Sequence, residues 1–253
     1  MKIKVISFNI LCVDSTENYL ISDRAPRLKA VIAPFDPDVI GIQEYRDPWE
    51  PHFKEQFPEY EMVNAWRSDD SHRESGPILY KRDKFELVKT GHFWFSDTPE
   101  VMSGSEWDEA FHCNRICLYV VLREKESGKE FAFMNTHFGF GDGGQVKSVK
   151  LLASYAEKLA PLPIFVTGDF NAFPNSPAYA ELIKHFTDVN AVTAKDDGNT
   201  YHGFGKVTKK EGPIDYCFIT DKVKPISFRV IRELVDGFFP SDHYGLQIEL
   251  ELL

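Results

Sequence analysis

Ile164-Phe-Val-Thr-Gly-Asp-Phe-Asn171 joins an apolar run to a glycine and then to two polar side chains spaced i, i+2. Pro163 to Thr167 reads as a buried strand. Gly168 would permit a tight bend at its end, so that Asp169 and Asn171 point at one target. A carboxylate can orient a water or take its proton, and an amide can donate to a phosphate oxygen. Read alone, the segment fits an Asx turn equally well.

Working outward, the same grammar recurs. Lys2 to Phe8 alternates as a strand and is followed by Asn9. Asp38-Val-Ile-Gly-Ile-Gln-Glu44 is a short apolar run closing on a carboxylate. Arg115 to Arg123 and Glu130 to Thr136 read as a hairpin about Ser127-Gly128, with His137 next in line. Ile214 to Ile219 begins beside Asp215, and the strand Tyr244 to Leu250 follows His243. Asn9, Glu44, His137, Asp169, Asp215 and His243 therefore fall at strand ends, where one rim of a sheet core can gather a site from distant parts of a chain.

The remaining elements fill in around these. A helix starts near Ser22 or Asp23 with Leu28, Val31 and Ile32 on its inner face, and Trp49 to Phe57 reads as a short helix. Pro77 to Arg82 and Phe85 to Phe95 read as a hairpin about Asp83-Lys84. Gln145 to Leu159 carries a helical apolar stripe, and Phe228 to Leu234 reads as a strand. Strands dominate, with helices at intervals, which fits an α+β or mixed-sheet fold better than a doubly wound parallel sheet. No repeat or linker divides the chain, so one domain over residues 1–253 is expected.

The net charge of −10, with no Lys/Arg-rich run, argues against tight duplex binding by counterion release. It does not exclude a phosphate substrate, since a bound cation can supply positive charge. The four cysteines form no Cys-x-x-Cys pair and read as buried free thiols. The N-terminus lacks the apolar run of a signal peptide, and no stretch approaches the ~18 apolar residues of a membrane span. A cytoplasmic protein without membrane partners is the expectation.

Ser241-Asp242-His243 offers the commonest general base beside a carboxylate. Asp215, opening an apolar strand, would be costly to bury alone, and an imidazole partner would lower that cost. Glu44 at a buried strand end calls for a salt bridge or a hard cation. Arg115 suits bidentate phosphate contact or an edge salt bridge. His202 can line a pocket or hold its Gly-containing loop.

Taken in order, SFNI (7–10), GIQE (41–44), NTHF (135–138), GDFNA (168–172), PIDY (213–216) and SDH (241–243) resemble the endonuclease/exonuclease/phosphatase superfamily, the DNase I-like fold, over essentially the whole chain. ILYKRDKFELV, GHFWFSDTPE and TYHGF look like a bacterial subgroup related to carbon-catabolite-repression-type deadenylases and nocturnin. The resemblance implies a four-layer α/β/β/α sandwich of two mixed, mainly antiparallel sheets. It implies Mg²⁺ or Mn²⁺ held mainly by Glu44, with Asn9 nearby and Asp242 at a second metal position. It makes His243 the general base oriented by Asp215, with Asp169 positioning the water and Asn171 contacting the scissile phosphate. His137 would stabilise the transition state or assist the leaving group, and Arg115 would contact phosphate.

Two segments depart from the family pattern. Phe138 to Gly144 is Gly-rich and lacks basic residues, and Ser103 to Glu109 is acidic. Both disfavour a long nucleic acid. The leading expectation is a metal-dependent phosphoesterase acting on a small phosphorylated metabolite or a nucleotide-like phosphodiester. A single-strand nuclease or deadenylase is the alternative, with Trp94, Trp107, Tyr201 and Phe204 as stacking platforms. A decayed enzyme kept as a binding module is the second class.

Overall fold

Alternation along the first strand divides its side chains between two cores. In the computed structural model, which describes residues 1–71 and 73–253, β1 (Lys2–Asn9) sends Ile3 and Val5 into a layer shared with Leu118, Val120, Phe131 and Phe133. Ile6 and Phe8 face the other way, against Leu28, Ile32 and Phe53. A strand apolar on both faces must sit inside a sheet that is covered on both sides.

β1 is central in a six-stranded sheet ordered β11 (Val223–Ile231), β12 (Gly245–Leu252), β1, β2 (Val39–Gln43), β4 (Ile78–Lys81), β3 (Tyr60–Val63). The second sheet runs β5 (Phe85–Trp94), β6 (Ile116–Glu124), β7 (Glu130–His137), β8 (Ile164–Asp169), β10 (Asp215–Ile219), β9 (Thr187–Asp188). Each contains one parallel pair, β1 with β2 and β7 with β8, among antiparallel neighbours. Helices α1 (Ile21–Ile32) and α2 (Glu50–Gln56) pack on the outer face of the first sheet. Helices α3 (Asp142–Leu159) and α4 (Pro177–His185) cover the second through Val149, Leu152, Ala156 and Leu182. α5 (Val189–Val192) is a single turn. The order of layers is helix, sheet, sheet, helix, the expected four-layer α+β sandwich.

Several local expectations need correction. Pro77 to Arg82 and Phe85 to Phe95 are not a hairpin. β4 is paired on both sides, by β2 and β3, so β5 crosses to the other sheet and pairs β6. Gly168 is no bend: β8 runs through it to Asp169, and a Cβ there would run into the Thr136 carbonyl oxygen of β7. The chain turns at Asn171, whose φ is +48°. β11 begins and ends earlier than Phe228 to Leu234, and α3 starts inside the Gly-rich run. Cys117 and Cys217 are buried free thiols, whereas Cys12 and Cys113 are only half-buried. Among the described residues, no helix is long and apolar enough to cross a membrane.

Candidate active site

The layer between the sheets changes character along its length. Ile3 and Val5 give way to Ser7 and Asn9 on β1, Phe131 and Phe133 to Asn135 and His137 on β7, and Phe165 to Thr167 and Asp169 on β8. Period-two alternation keeps each series on one face. Because β1/β2 and β7/β8 are parallel pairs, their polar C-terminal ends meet on one rim.

Just below the rim, Asn135 stitches the sheets together. Its Oδ1 accepts from Gln43 Nε2 at 2.7 Å and Thr167 Oγ1 at 3.1 Å, and its Nδ2 donates to the Ile42 and Gly76 carbonyls. Gln43 Nε2 also donates to Ser7 Oγ. Gly41 makes room, since a Cβ there would lie 2.6 Å from Asn135 Oδ1 and Thr167 Oγ1.

Above this layer lies a cavity of about 610 Å³ lined by Glu44, His137, Asp169, Asn171, Asp242 and His243 among others. Asn9, wholly buried, donates through Nδ2 to Glu44 Oε1 at 3.1 Å and Asp169 Oδ2 at 3.0 Å. Glu44 sits in left-handed backbone, φ +59°, and its second oxygen accepts from the Cys12 amide. Asn171 N donates to Asp169 Oδ1, an Asx turn, and Asn171 Nδ2 donates to the Phe138 carbonyl. The turn and the cavity wall are thus the same feature, so the two readings of Gly168–Asn171 do not compete.

Two imidazoles converge on Asp169. His243 Nδ1 is 2.9 Å from Asp215 Oδ2, and its Nε2 is 3.7 Å from Asp169 Oδ2. His137 Nδ1 is 3.2 Å from Glu74 Oε1, and its Nε2 is 3.6 Å from that same Asp169 oxygen. Burial alone would lower the His243 pKa, but Asp215, Asp169 and Asp242 push it up to about 10. Burial, and then the charge of Asp215, raise the Asp169 carboxyl. Glu74 is also buried, yet the His137 hydrogen bond and the Arg67 and Arg115 guanidiniums hold it down at about 2.

Asp242 faces Glu44. Its carboxyl is raised by burial and by the like charge of Glu44. Glu44 and Asp242 are half-buried carboxylates lining one cavity, hard oxygen donors of the kind that Mg²⁺ or Mn²⁺ takes, while Asn9 turns its amide nitrogen to Glu44 and its Oδ1 accepts from Leu11 N. Cys12 Sγ lies within 4.8 Å of oxygens of Glu44 and Glu74. Arg24, also buried, spans the loop after β1 through the Ile10, Leu11 and Val13 carbonyls, and burial brings its pKa down to about 10.

The family model described as Endonuclease/Exonuclease/phosphatase family matches residues 6–243. The chain belongs to this family. A solved endonuclease/exonuclease/phosphatase from Bacteroides vulgatus is 26% identical with TM-score 0.91, and each chain is covered in full. The Bacteroides thetaiotaomicron mannosyl-6-phosphatase Bt3783 is also 26% identical, TM-score 0.86, covering 99% of this chain and 100% of that one. Drosophila melanogaster Nocturnin is 24% identical over 85% of this chain. The chain spans 66% and 37% of the lengths of the curated relatives it matches.

Arg115 lines the cavity: its Nε donates to Asp108 Oδ2 at 3.0 Å, while its Nη1, 3.9 Å from Glu74, has no hydrogen-bond partner among the described residues. His202 does not line the cavity. Its ring stacks on Tyr244 at 4.0 Å, its Nδ1 accepts from Gly205 N, and its amide donates to the Asp242 carbonyl, so it buttresses the Asp242–His243 turn from behind. Burial lowers its pKa to about 4. Of the four stacking candidates, Tyr201 alone lines this cavity. Trp107 is buried, Trp94 donates to the Arg67 carbonyl, and Phe204 packs on Tyr19. The sequence reading did not single out Glu74, Arg67, Asn135 or Phe111. Glu74 follows no periodic run, and only the folded chain brings it to His137. Asn135 lies inside the NTHF motif, four residues after Phe131 on the same strand face.

Proposed function

We propose that the chain is a divalent-metal-dependent hydrolase of small phosphoesters, with His243 as general base. The observation that carries the proposal is the arrangement of His243 and His137 on either side of Asp169, each imidazole held at Nδ1 by its own carboxylate. The carboxylates around His243 favour its protonated ring; a cation bound among them would oppose that, and a water between the freed Nε2 and Asp169 Oδ2 would then meet two acceptors and could lose its proton to the ring. Asn171 Nδ2 has a second hydrogen for a phosphate oxygen, and its bond to the Phe138 carbonyl fixes the amide plane. His137 Nε2, across the site, can donate to a non-bridging or leaving oxygen. Mg²⁺ or Mn²⁺ would be held by Glu44 with Asn9 and Asp242 beside it, and would supply charge neutralisation on the phosphoryl oxygens.

A concave cavity suits a small ester better than a long polyanion, and so does the net charge of −10. The mannosyl-6-phosphatase relative points the same way. A second reading, cleavage of a short single strand, is favoured by Tyr201 and Phe111, which line the cavity while 40% and 63% exposed. A cytoplasmic setting and one catalytic domain over residues 1–253 complete the proposal.

The test is a panel of phosphomonoesters, phosphodiesters and short oligonucleotides, each with Mg²⁺, Mn²⁺ or chelator. Metal-dependent turnover that falls at least ~100-fold in Glu44→Ala supports the reading, that being the scale of losing a charge stabiliser. No metal-dependent turnover across the panel overturns it in favour of a binding module.

A further inference from the structure

The Gly-rich run after His137 and the acidic stretch before Arg115 are two halves of one device. Gly139, Gly141 and Gly144 lie directly beneath Asp108, Glu109 and Trp107. A Cβ on Gly139 would come within 2.8 Å of Asp108 Cβ. One on Gly141, whose φ is +101°, would strike the Glu109 side chain, and one on Gly144 would strike the Trp107 carbonyl. The glycines are a bed that lets a strap, residues 105–113, lie flat against the start of α3.

Asp108 pins that strap. It is wholly buried, and its carboxylate accepts from Phe140 N and Phe111 N, both at 3.2 Å, and from Arg115 Nε. Of the acidic residues in this stretch, Asp108 is spent inside the protein, whereas Glu106 and Glu109 are exposed. The Glu109 amide donates to the Phe140 carbonyl, completing the clasp.

The strap ends in an exposed aromatic. Phe111 is 63% exposed, meets Phe140 edge to face at 5.3 Å between centroids, and lines the cavity that holds His243 and Asp169. Phe173 and Ile214 line the same cavity. The charged and polar lining gathers around Asp169 and His243, whereas the strap's end presents the Phe111 and Phe140 rings to the cavity.

We propose that the strap is a specificity wall, and that Phe111 selects phosphoesters whose alcohol carries a flat apolar ring over those of polyhydroxylated alcohols. The inference rests on the phosphoesterase reading above. A ring laid against Phe111 and Phe140 gains an aromatic contact and buries apolar surface. A polyol in the same place would meet the two apolar rings and gain no such contact.

The experiment compares benzyl phosphate with glycerol 3-phosphate, and benzyl methyl phosphate with glyceryl methyl phosphate. Within each pair the leaving group is a primary alcohol of similar basicity. Wild type should favour the benzyl ester at least ~10-fold in kcat/KM, and Phe111→Ala should shrink that ratio ~5-fold, the scale of one aromatic contact. Phe111→Leu should fall between the two, and because Phe111 is exposed, unfolding midpoints should stay near wild type. A wild-type preference for the glycerol esters, or a ratio unchanged in Phe111→Ala, overturns the specificity wall alone. Absence of hydrolysis of every ester with either metal overturns the phosphoesterase reading and this inference with it.

Discussion

The two carboxylate–imidazole pairs at the rim are alike in plan and opposite in construction. In one, the carboxylate Asp215 comes from β10 of the second sheet and the imidazole His243 from the loop entering β12 of the first. In the other, the carboxylate Glu74 precedes β4 of the first sheet and the imidazole His137 ends β7 of the second. Both straddle the interface between sheets, so neither survives a change in how the sheets sit. They differ in how the carboxylate is shared. Asp215 bonds His243, whereas Glu74 divides its charge among His137, Arg67 and Arg115. An undivided carboxylate suits a ring that must accept a proton, and a divided one suits a ring that must be held in place.

The largest effect should come from the first pair. His243→Ala should lower kcat at least ~100-fold, the scale of losing a general base. Steady-state kinetics on the best ester of the panel would measure it, and near-normal turnover would sink the assignment. The comparison sharpens one step out: Asp215→Asn should reduce kcat at least ~10-fold more than Glu74→Gln, because the amide removes the charge that favours an imidazolium. Equal losses would mean that the two pairs do the same work.

Asn135 tests the shared dependence. Asn135→Ala takes a partner from Thr167 Oγ1, from the Ile42 and Gly76 carbonyls and from Gln43 Nε2, which keeps only Ser7 Oγ. Unsatisfied buried groups cost about 1–3 kcal/mol each, so a loss of at least ~3 kcal/mol is expected in urea unfolding. A loss under ~1 kcal/mol would show that apolar burial alone holds the sheets in register.

What the sequence made legible follows from the same geometry. Asn9, Glu44, Asp169, Asp215 and His243 could be read because each closes or opens an apolar run, and a strand end is a local signal. The four layers could be read through the ordered motifs. The crossover from β4 to β5 could not, because a tight turn at Asp83-Lys84 looks the same whether the next strand pairs at home or in the opposite sheet. Glu74 was invisible for a related reason: its meaning lies in His137, 63 residues away. The glycines of 138–144 looked like a departure because their partner is a distant strap and not a neighbour in sequence.

The smallest predicted effect isolates the divided carboxylate. Burial would raise the Glu74 carboxyl, but His137, Arg67 and Arg115 together hold it near 2, below the ordinary 4.5. A folded-state pKa below the unfolded value means that Glu74 adds stability wherever it is ionised in both states, above about 4.5. That contribution must fade as pH falls from about 4.5 toward about 2, since the unfolded chain takes up its proton first. In Glu74→Gln there is no proton to take up. The stability gap between wild type and Glu74→Gln, read from urea midpoints at steps between pH 6 and pH 2.5, should therefore be widest near pH 6 and close steadily on acidification. A gap that stays constant with pH would show that Glu74 acts through its shape and neutral hydrogen bonds, and the contrast with Asp215 would then rest on geometry alone.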